Sequence, residues 1–417
     1  MKKVSLCIIG AGSRGTGYAR YASENPEQAE VVGVAEPRDE YRKRIAEEHS
    51  VSPEYTAEDW KTLAAKEKFA DGVIIATQDA MHADPAVVFA KKGYHILLEK
   101  PMAPSQEECT RIVNAVKGSN IIFAVCHVLR YTEYTHNIKE LVKAGVIGDL
   151  VNIQRLEPVG YWHQAHSFVR GNWGREDDSS CMLLSKCCHD LDWIRYIMGV
   201  PCKSVSSFGT LKHFREDEKP EGAGERCIEC AYEPKCPYSA KKIYLGRITW
   251  GSTDWPVNVL APDVTEESIT DAITNGPYGR CVYSCDNDVV DNQVVNMLFE
   301  GGATASLTMT AFTEATHRKT RIFGTKGMLE GDGSMIRHFD FLTDTWEEID
   351  TVSGDHSILG GHGGGDLGLI KSFISAVGNN DPEAVLSGPE ETLETHMMVF
   401  AAEKARRDNT VINIQDM

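Results

Sequence analysis

Three glycines near the start of the chain have a spacing that suits the binding of a dinucleotide. They stand in the run Gly10-Ala11-Gly12-Ser13-Arg14-Gly15, directly after an apolar segment and before a helical pattern. Glycines here allow a tight turn and let the backbone approach a pyrophosphate, which the amides of a helix N-terminus then stabilise. We therefore expect contacts to a dinucleotide from Gly10, Gly12, Ser13, Arg14 and Gly15, although such a turn can also merely connect a strand to a helix.

An acidic residue ends the second apolar segment, as a dinucleotide site requires. Glu36 follows the apolar residues 31–35. A carboxylate at this position accepts hydrogen bonds from the adenosine ribose and repels a 2′-phosphate, which favours NAD over NADP. Arg38 and Arg14 lie close in sequence, and their positive charges soften that preference. The sequence therefore predicts a cofactor site that includes Glu36 and Arg38 and takes NAD more readily than NADP.

The first 125 residues alternate between short apolar segments and helical patterns. The apolar, β-rich segments lie at 4–9, 30–35, 71–76, 95–98 and 120–125. The helical patterns between them lie at 15–24, 38–49, 82–92 and 105–117. This alternation is typical of βαβ units and of a parallel, doubly wound sheet. We therefore predict an NAD-binding Rossmann domain over residues 1–125.

The pattern changes after Cys126, where we place the start of a C-terminal domain, residues 126–417. Helical patterns lie at 137–144 and 190–198. Alternating residues that suit antiparallel strands with one covered face lie at 282–283, 293–299, 304–311 and 319–323. Residues 212–280 have weak periodicity and resemble an insertion. The predicted fold is α/β: a Rossmann domain followed by an α+β domain with a large, mostly antiparallel, open-faced sheet.

Composition and charge exclude some classes of partner. The chain has 417 residues with 43 basic and 61 acidic side chains, which gives a formal charge of −18. Such a surface repels phosphate backbones and anionic lipid, so we expect neither nucleic acid nor membrane partners. The apolar run at 4–9 is too short for a signal peptide, and twelve cysteines without an export signal favour a reducing, cytoplasmic location.

A second motif carries a resemblance to a known family. Glu99-Lys100-Pro101 ends the fifth apolar segment and, with the glycine run, resembles the Gfo/Idh/MocA family of glucose-fructose oxidoreductases, inositol dehydrogenases and rhizopine-catabolism proteins. The resemblance implies that Lys100 reaches the substrate beside the nicotinamide, that Glu99 and Pro101 belong to the cofactor site, and that the peptide before Pro101 is cis. An ammonium there can stabilise a developing oxyanion. The alternative is a solvated surface lysine.

The loop after the fourth apolar segment carries the same resemblance. Thr77 and His82 are similar to the family's residues over the nicotinamide ribose, which places both in the cofactor site. Gln78 and Asp79 replace the family's Pro-Asn pair, so the loop's contacts differ in detail. The alternative for His82 is that it begins the following helix and bonds its own backbone.

The resemblance also implies a catalytic histidine on a helix of the second domain. His189 matches it and is expected to take the proton of the substrate hydroxyl, while Asp192, three residues later, is expected at the substrate. Family members often have an aspartate four residues before the histidine, where this chain has Ser185. The ring tautomer must then be set otherwise, by Asp190 or Asp192 for instance. A core histidine bonded to a carbonyl is the alternative.

Aromatic rings, imidazoles and an arginine are concentrated between residues 161 and 173. Flat apolar faces and hydrogen-bond donors suit a polyhydroxylated ring, so we predict substrate contacts from Tyr161, His163, His166, Arg170 and Trp173. A partner surface would use similar residues. The glycine-rich run around His362 is a further candidate, because glycines let backbone and imidazole approach a ligand, although a lid or a plain turn fits it too.

Three closely spaced cysteines could bind a metal ion. Cys227, Cys230 and Cys236 lie within the irregular region, and thiolates at this spacing can hold a structural zinc. The fourth ligand is left open among Cys202, His213, Cys281 and Cys285. Reduced cysteines packed in a loop and an iron–sulfur cluster are the alternatives.

Together these patterns predict an enzyme that transfers a hydride between NAD and a secondary alcohol of a sugar, sugar derivative or inositol. Two other functions remain open. One is a glycosidase that oxidises its sugar transiently, eliminates the aglycone, adds water and reduces the ketone again. The other is a non-catalytic nucleotide sensor. The resemblance further implies a homodimer or homotetramer.

Overall fold

The computed structural model describes residues 1–261, 263–351 and 363–417. Its first sheet consists of six parallel strands: β1 (Val4–Ile9), β2 (Ala29–Ala35), β3 (Thr56–Ala57), β4 (Gly72–Ile75), β5 (His95–Leu98) and β6 (Phe123–Val125). Their order is β3-β2-β1-β4-β5-β6. Strand order reverses between β1 and β4, and ligands of doubly wound sheets bind at the carboxyl ends beside such a point. The predicted Rossmann sheet is confirmed.

Helices cover both faces of this sheet. The first five are α1 (Ser13–Glu24), α2 (Asp39–Glu48), α3 (Trp60–Ala64), α4 (Ala83–Lys91) and α5 (Gln106–Lys117). Successive side chains of β1 enter opposite apolar clusters: Leu6 and Ile8 pack on one face, Cys7 and Ile9 on the other. A strand buried on both faces requires this nearly continuous apolar sequence.

The second sheet consists of nine strands: β7 (Leu150–Pro158), β8 (Cys202–Thr210), β9 (Asn292–Phe299), β10 (Thr304–Thr310), β11 (Lys319–Gly324), β12 (Gly327–Gly331), β13 (Met335–Asp340), β14 (Thr345–Asp350) and β15 (Val411–Asn413). Their order is β14-β13-β12-β11-β7-β10-β9-β8-β15. Only β7 and β10 run parallel among these pairs. In β9, Val295 and Met297 are buried while Val294 and Leu298 are exposed, so the predicted open face is confirmed.

The other helices surround the second sheet and complete the first. They are α6 (Glu133–Lys143), α7 (Tyr161–His163), α8 (Met182–Ser185), α9 (Cys188–Met198), α10 (Gly246–Thr249), α11 (Glu266–Asn275), α12 (Gly365–Asn379) and α13 (Pro389–Asp408). Phe373 and Ile374 of α12 pack into a core cluster of the first sheet, so a late segment of the chain finishes the Rossmann half. Within the described ranges, no helix has the length and apolarity needed to cross a membrane.

The irregular region, residues 212–280, has a small core of its own. Phe214, Tyr244 and Ile269 are buried in it. Val282 and Tyr283, predicted as a strand, form a turn whose side chains pack into this core. That strand prediction is wrong, because two buried apolar residues in sequence do not distinguish a strand from a turn that is covered by other segments.

A buried arginine joins the two halves of the molecule. Arg130, which follows β6, donates to both carboxylate oxygens of Asp192 on α9 at 2.7 Å. It also donates to the Leu386 carbonyl oxygen at 2.6 Å and pairs with Glu391 of α13. Burial alone would lower the pKa of Arg130, but the two carboxylates raise it, so the guanidinium stays charged.

We expect the substitution Arg130→Met to destabilise the protein strongly. Removing one partner of a buried ion pair costs about 3–5 kcal/mol, because the other charge stays buried without compensation. Arg111→Met is the matched control, since its pair with Asp84 is exposed and such pairs contribute about 0–1 kcal/mol. Urea unfolding followed by tryptophan fluorescence measures both changes. Equal losses of stability in the two variants would contradict this assignment.

Candidate functional site

The glycine run forms a tight turn between β1 and α1. Gly10 has a φ of +89°, and a Cβ atom there would lie 2.5 Å from the carbonyl oxygen of Ala76. A Cβ atom at Gly15 would lie 1.9 Å from the carbonyl oxygen of Gly10, so only glycine lets α1 pack this closely. The helix begins at Ser13, after Gly12, and no described side chain caps its first amides. This N-terminus can therefore receive an anionic group of a ligand.

Glu36 lies beside this turn, at the end of β2. Its carboxylate accepts hydrogen bonds from the Ala11 amide and from Nε of Arg38, both at 2.8 Å. Burial would raise the pKa of Glu36, but the hydrogen bonds from Arg38 and Ala11 lower it below its usual value. The guanidinium of Arg38 also lies 4.0 Å from the ring centre of Tyr41. An ionised carboxylate thus stands where a ribose would be bound.

Arg14 and Glu99, both predicted at the cofactor site, bind each other. Nε of Arg14 lies 2.7 Å from a carboxylate oxygen of Glu99, which also accepts from the Tyr18 hydroxyl at 2.9 Å. Burial would raise the pKa of Glu99, but Arg14 lowers it, so the buried carboxylate stays charged. Arg14 pairs in addition with Asp366 of α12. Glu99 thus fixes α1 against β5, while Arg14 keeps part of its side chain exposed, and their contacts to a cofactor stay a prediction.

His82 links the loops that follow β4 and β5. Its ring is fully buried, with Nδ1 2.8 Å from the Pro101 carbonyl oxygen and Nε2 3.2 Å from that of Thr77. The peptide between Lys100 and Pro101 is cis, as the resemblance implies. His82 therefore acts through the two loops that it holds together, and its predicted direct contact with a cofactor is not favoured. Thr77 lines an open cavity of about 420 Å³ beside Asp79.

Lys100 projects from the end of β5 toward the second domain. Its Nζ donates to the carbonyl oxygen of Ser185 at 2.7 Å, so it is not a solvated surface lysine. Ser185 ends α8, and His189 lies in the first turn of α9, four residues later. The contact uses the Ser185 backbone, so it does not depend on the aspartate that family members often carry there. Both residues predicted to perform chemistry therefore come from facing elements of the two halves.

A second buried histidine, His127, lies beside His189, and no motif in the sequence identified it. His127 follows β6, and its ring centre lies 5.9 Å from that of His189 and 5.8 Å from that of His396. Neither of its ring nitrogens has a hydrogen-bond partner among the described residues. Burial lowers the pKa of His127 well below its usual value, and nearby cations lower it further, so the ring is neutral. The available signal was its position at the carboxyl end of a parallel strand.

The two aspartates beside His189 are buried in ion pairs. Asp190 lies 2.7 Å from Nε of Arg155 and 3.0 Å from Nε of Arg318. Burial would raise the pKa of Asp190, but Arg318 and Arg155 lower it. Asp192, predicted at the substrate, is fully buried, and Arg130 binds both of its oxygens. Asp192 thus anchors α9 in the interior, and its contact with a substrate stays a prediction.

The predicted substrate segment divides between cavities and the irregular region. His163 lines one cavity, and Trp173, which is 39% exposed, lines the cavity beside Thr77. Tyr161 is half-buried with its ring centre 6.3 Å from that of Tyr238, in the irregular region. The structure thus keeps His163 and Trp173 as candidate ligands.

His166 and Arg170 instead anchor the irregular region. His166 is 2% exposed, and its Nδ1 lies 2.9 Å from the Tyr244 hydroxyl. Arg170 donates to the carbonyl oxygens of Tyr238 and Arg280 at 2.9 and 2.8 Å. The side chains of both residues contact the irregular region from the π-helical turn Gln164–Arg170. Arg170 also lines the cavity beside Thr77, and the substrate contacts of both residues stay a prediction. His362 lies outside the described residues.

The cysteines of the irregular region lie together without the geometry of a metal site. Cys227, Cys230 and Cys236 line one small cavity with Cys281. In the part of the chain that the structure describes, no group of three or more His, Cys, Asp or Glu side chains is placed to hold a metal ion. A guanidinium nitrogen of Arg170 lies 3.4 Å from Sγ of Cys227, which disfavours a second cation. Zinc is therefore not supported, and packed, reduced cysteines match the structure.

Two models of protein families match the chain. One is described as "Oxidoreductase family, NAD-binding Rossmann fold" and matches residues 4–127. The other is described as "Oxidoreductase family, C-terminal alpha/beta domain" and matches residues 139–414. The first match covers the six-stranded sheet, and the second covers the nine-stranded sheet.

Individual proteins show the same similarity at lower identity. A 2,7-anhydro-N-acetylneuraminate hydratase of Mediterraneibacter gnavus is 28% identical over 51% of this chain and 54% of its own length. A scyllo-inositol 2-dehydrogenase (NAD(+)) of Bacillus subtilis is 25% identical over 50% of this chain and 58% of its own. The chain thus spans little more than half the length of these relatives. The crystal structure of an Agrobacterium radiobacter oxidoreductase with NAD+, L-tartaric acid and magnesium superposes with a TM-score of 0.72 at 14% identity, covering 100% of both chains.

Proposed function

Because the chain belongs to the Gfo/Idh/MocA oxidoreductase family, we propose that it is an NAD-dependent dehydrogenase of a sugar, a sugar derivative or an inositol. The contact that carries the proposal is the one between Nζ of Lys100 and the Ser185 carbonyl oxygen, at 2.7 Å. It brings an ammonium from the Rossmann half to the end of α8, four residues before His189. The inositol dehydrogenase among the relatives supports a polyhydroxylated substrate.

The described residues fit a dinucleotide. Added Cβ atoms would clash with backbone at Gly10 and Gly15, so the turn is tight and α1 packs closely, as the dinucleotide motif requires. The uncapped amides after Gly12 would hold the phosphates, and Glu36 would accept the ribose hydroxyls. Thr77 would lie at the nicotinamide end. When bound, NAD supplies the acceptor for a hydride.

The side chains around this site have complementary roles. Lys100 would donate a hydrogen bond to the substrate hydroxyl oxygen and stabilise negative charge that develops there. His189 would accept the proton of the same hydroxyl. His127, neutral and buried beside His189, would keep water and charge away from the ring. The carbonyl of Ser185 holds Lys100 until a substrate oxygen replaces it.

The cofactor preference gives a direct test of Glu36. We expect Glu36→Ala to weaken NAD binding about tenfold, since hydrogen bonds worth about 1.4 kcal/mol are lost, and to raise the affinity for NADP. Arg38 would then be free to bind the 2′-phosphate. Glu30→Ala on the same strand is the control, because Glu30 is exposed and pairs with Lys3. Calorimetric titration with both dinucleotides measures the change. An unchanged preference in Glu36→Ala would contradict this role.

Turnover tests the proposed activity itself. Incubation of the protein and NAD with a panel of aldoses, uronates and inositols should produce NADH from at least one of them. Absence of NADH and of any sugar product across the panel, with NAD shown to bind, would contradict the proposal.

A second function has a specific observation in its favour. The Mediterraneibacter gnavus relative is named a hydratase. Hydration adds water and causes no net oxidation of the substrate by NAD. Transient oxidation, elimination, addition of water and re-reduction would use the same lysine and histidine. Sugar conversion that needs only catalytic NAD and leaves no NADH would favour this function, including its glycosidase form. We also infer a homodimer or homotetramer through the open face of the second sheet, where Val294 and Leu298 are exposed.

A further inference from the structure

A cavity of about 370 Å³ is lined by residues between 157 and 318, all of which follow the first sheet in the chain. Its walls include one acid, two cations and four rings, which belong to Glu157, Lys186, Arg318, Trp162, His163, Trp255 and His317. We refer to it as the aromatic-cationic cavity. Its volume suits a small ligand of the size of one or two sugar rings.

The aromatic-cationic cavity lies next to the residues proposed to perform the chemistry. Lys186 directly follows Ser185, whose carbonyl oxygen accepts from Lys100. Arg318 lies 3.0 Å from Asp190, the residue that follows His189. Lys186 therefore lies three residues before His189 in the chain, and Arg318 contacts the residue directly after it.

One wall of the cavity is aromatic. The ring centre of Trp255 lies 5.4 Å from that of Trp162 and 4.8 Å from that of His163. Trp255 belongs to the irregular region and is 42% exposed, while Arg247 stacks on Trp162 at 4.1 Å. Burial lowers the pKa of His163 well below its usual value, so its ring adds no charge. The exposed indole of Trp255 can receive the C–H face of a pyranose, with the half-buried Trp162 beside it.

The charged side chains of the cavity carry an excess of positive charge. Asp190 is bound by Arg155 at 2.7 Å, and Arg318 lies 2.7 Å from Glu157. With each carboxylate matched to one arginine, the charge of Lys186 is left over. Its Nζ lies 3.4 Å from Glu157 and stays partly exposed in the cavity. Asp190, Glu157, Arg155, Arg318 and Lys186 thus sum to one positive charge, and Arg247 beside Trp162 adds a second.

We propose that the aromatic-cationic cavity selects a carboxylated sugar, of the uronic-acid class, over its neutral counterpart. The apolar ring face packs on Trp162 and Trp255, and the carboxylate binds Lys186. The charge of Lys186, which the described carboxylates of the cavity leave unmatched, is the one that the substrate carboxylate neutralises. This inference rests on the proposed function, since it names the substrate class of the same site.

Ligand binding without turnover tests the inference. The protein saturated with NADH is titrated calorimetrically with D-glucuronate, D-galacturonate, D-glucose, D-galactose and D-glucose 6-phosphate. We expect at least one uronate to bind tenfold or more tightly than its aldose. Lys186→Met should abolish that difference, and Lys186→Arg should retain it. Lys319→Met is the matched control, because Lys319 begins β11 with its side chain exposed on the other face of the sheet.

The outcomes separate the two proposals. A uronate preference that survives in Lys186→Met, or no uronate that binds more tightly than its aldose, would overturn the inference. Tighter binding of the phosphate ester than of either uronate would overturn the choice of a carboxylate. A preference that depends on Lys186 in a protein that never reduces NAD would support the inference while the proposed dehydrogenase fails.

Discussion

Substitution of Lys100 by methionine is expected to lower kcat/KM for the sugar by about 10²–10³-fold, the usual cost of removing one donor to a developing oxyanion. The dissociation constant of NAD should change little, because the phosphates and the adenosine ribose are held elsewhere. The geometry behind this expectation is the 2.7 Å hydrogen bond from Nζ to the Ser185 carbonyl oxygen, which holds the ammonium toward α9. Steady-state kinetics and calorimetric titration with NAD measure the two effects.

The control for this variant is Lys117→Met, since Lys117 lies on the surface at the end of α5 and pairs with Glu390. It should keep full activity. A Lys100→Met enzyme with unchanged turnover would show that the ammonium takes no part in the reaction. If no turnover is found in the unmodified protein either, while NAD binds, the sensor function becomes the better explanation.

Substitution of His189 by asparagine is expected to lower kcat by about 10²–10⁴-fold, the range that a general base contributes. The acid limb of the pH profile of kcat/KM should disappear as well, because it reports protonation of the base in the free enzyme. His136→Asn is the control, since His136 is exposed on α6. Rates across the pH range, with the unmodified protein alongside, provide the measurement.

A substitution of His127 tests whether His189 or His127 is the base. His127 is buried 5.9 Å from His189, ring centre to ring centre, and burial holds its pKa well below the usual value. We expect His127→Asn to lower activity while the acid limb stays in place. The reverse pattern, with the limb lost in His127→Asn and kept in His189→Asn, would make His127 the base and contradict the assignment.

The sequence pattern predicted strands accurately where burial alone sets the order of apolar residues. β1 and β5 have the predicted bounds, because strands buried on both faces need unbroken apolar runs. Alternation of apolar and polar residues predicted β9, β10 and β11 of the open-faced sheet, but not its six other described strands. The contribution of α12 to the first sheet could not be predicted, since nothing in the local sequence says which of two apolar surfaces a distant helix covers.

The candidate site was predictable in part, for a similar reason. The glycine turn, Glu36 and Lys100 follow from motifs whose spacing is local. The burial of Asp192 against Arg130, and the approach of His127 to His189, depend on contacts between residues 62 positions apart. The cysteine spacing favoured zinc, but the placement of Arg170 beside Cys227 is set by the surrounding fold. Residue types and spacing did not reveal these long-range partners.

A crystal structure of the protein with NAD tests the central claim most directly. We predict the pyrophosphate on the amides that follow Gly10, the ribose hydroxyls on Glu36, and the nicotinamide ring in contact with Lys100 and facing His189. A dinucleotide bound elsewhere, or a nicotinamide ring turned away from those two side chains, would contradict the account.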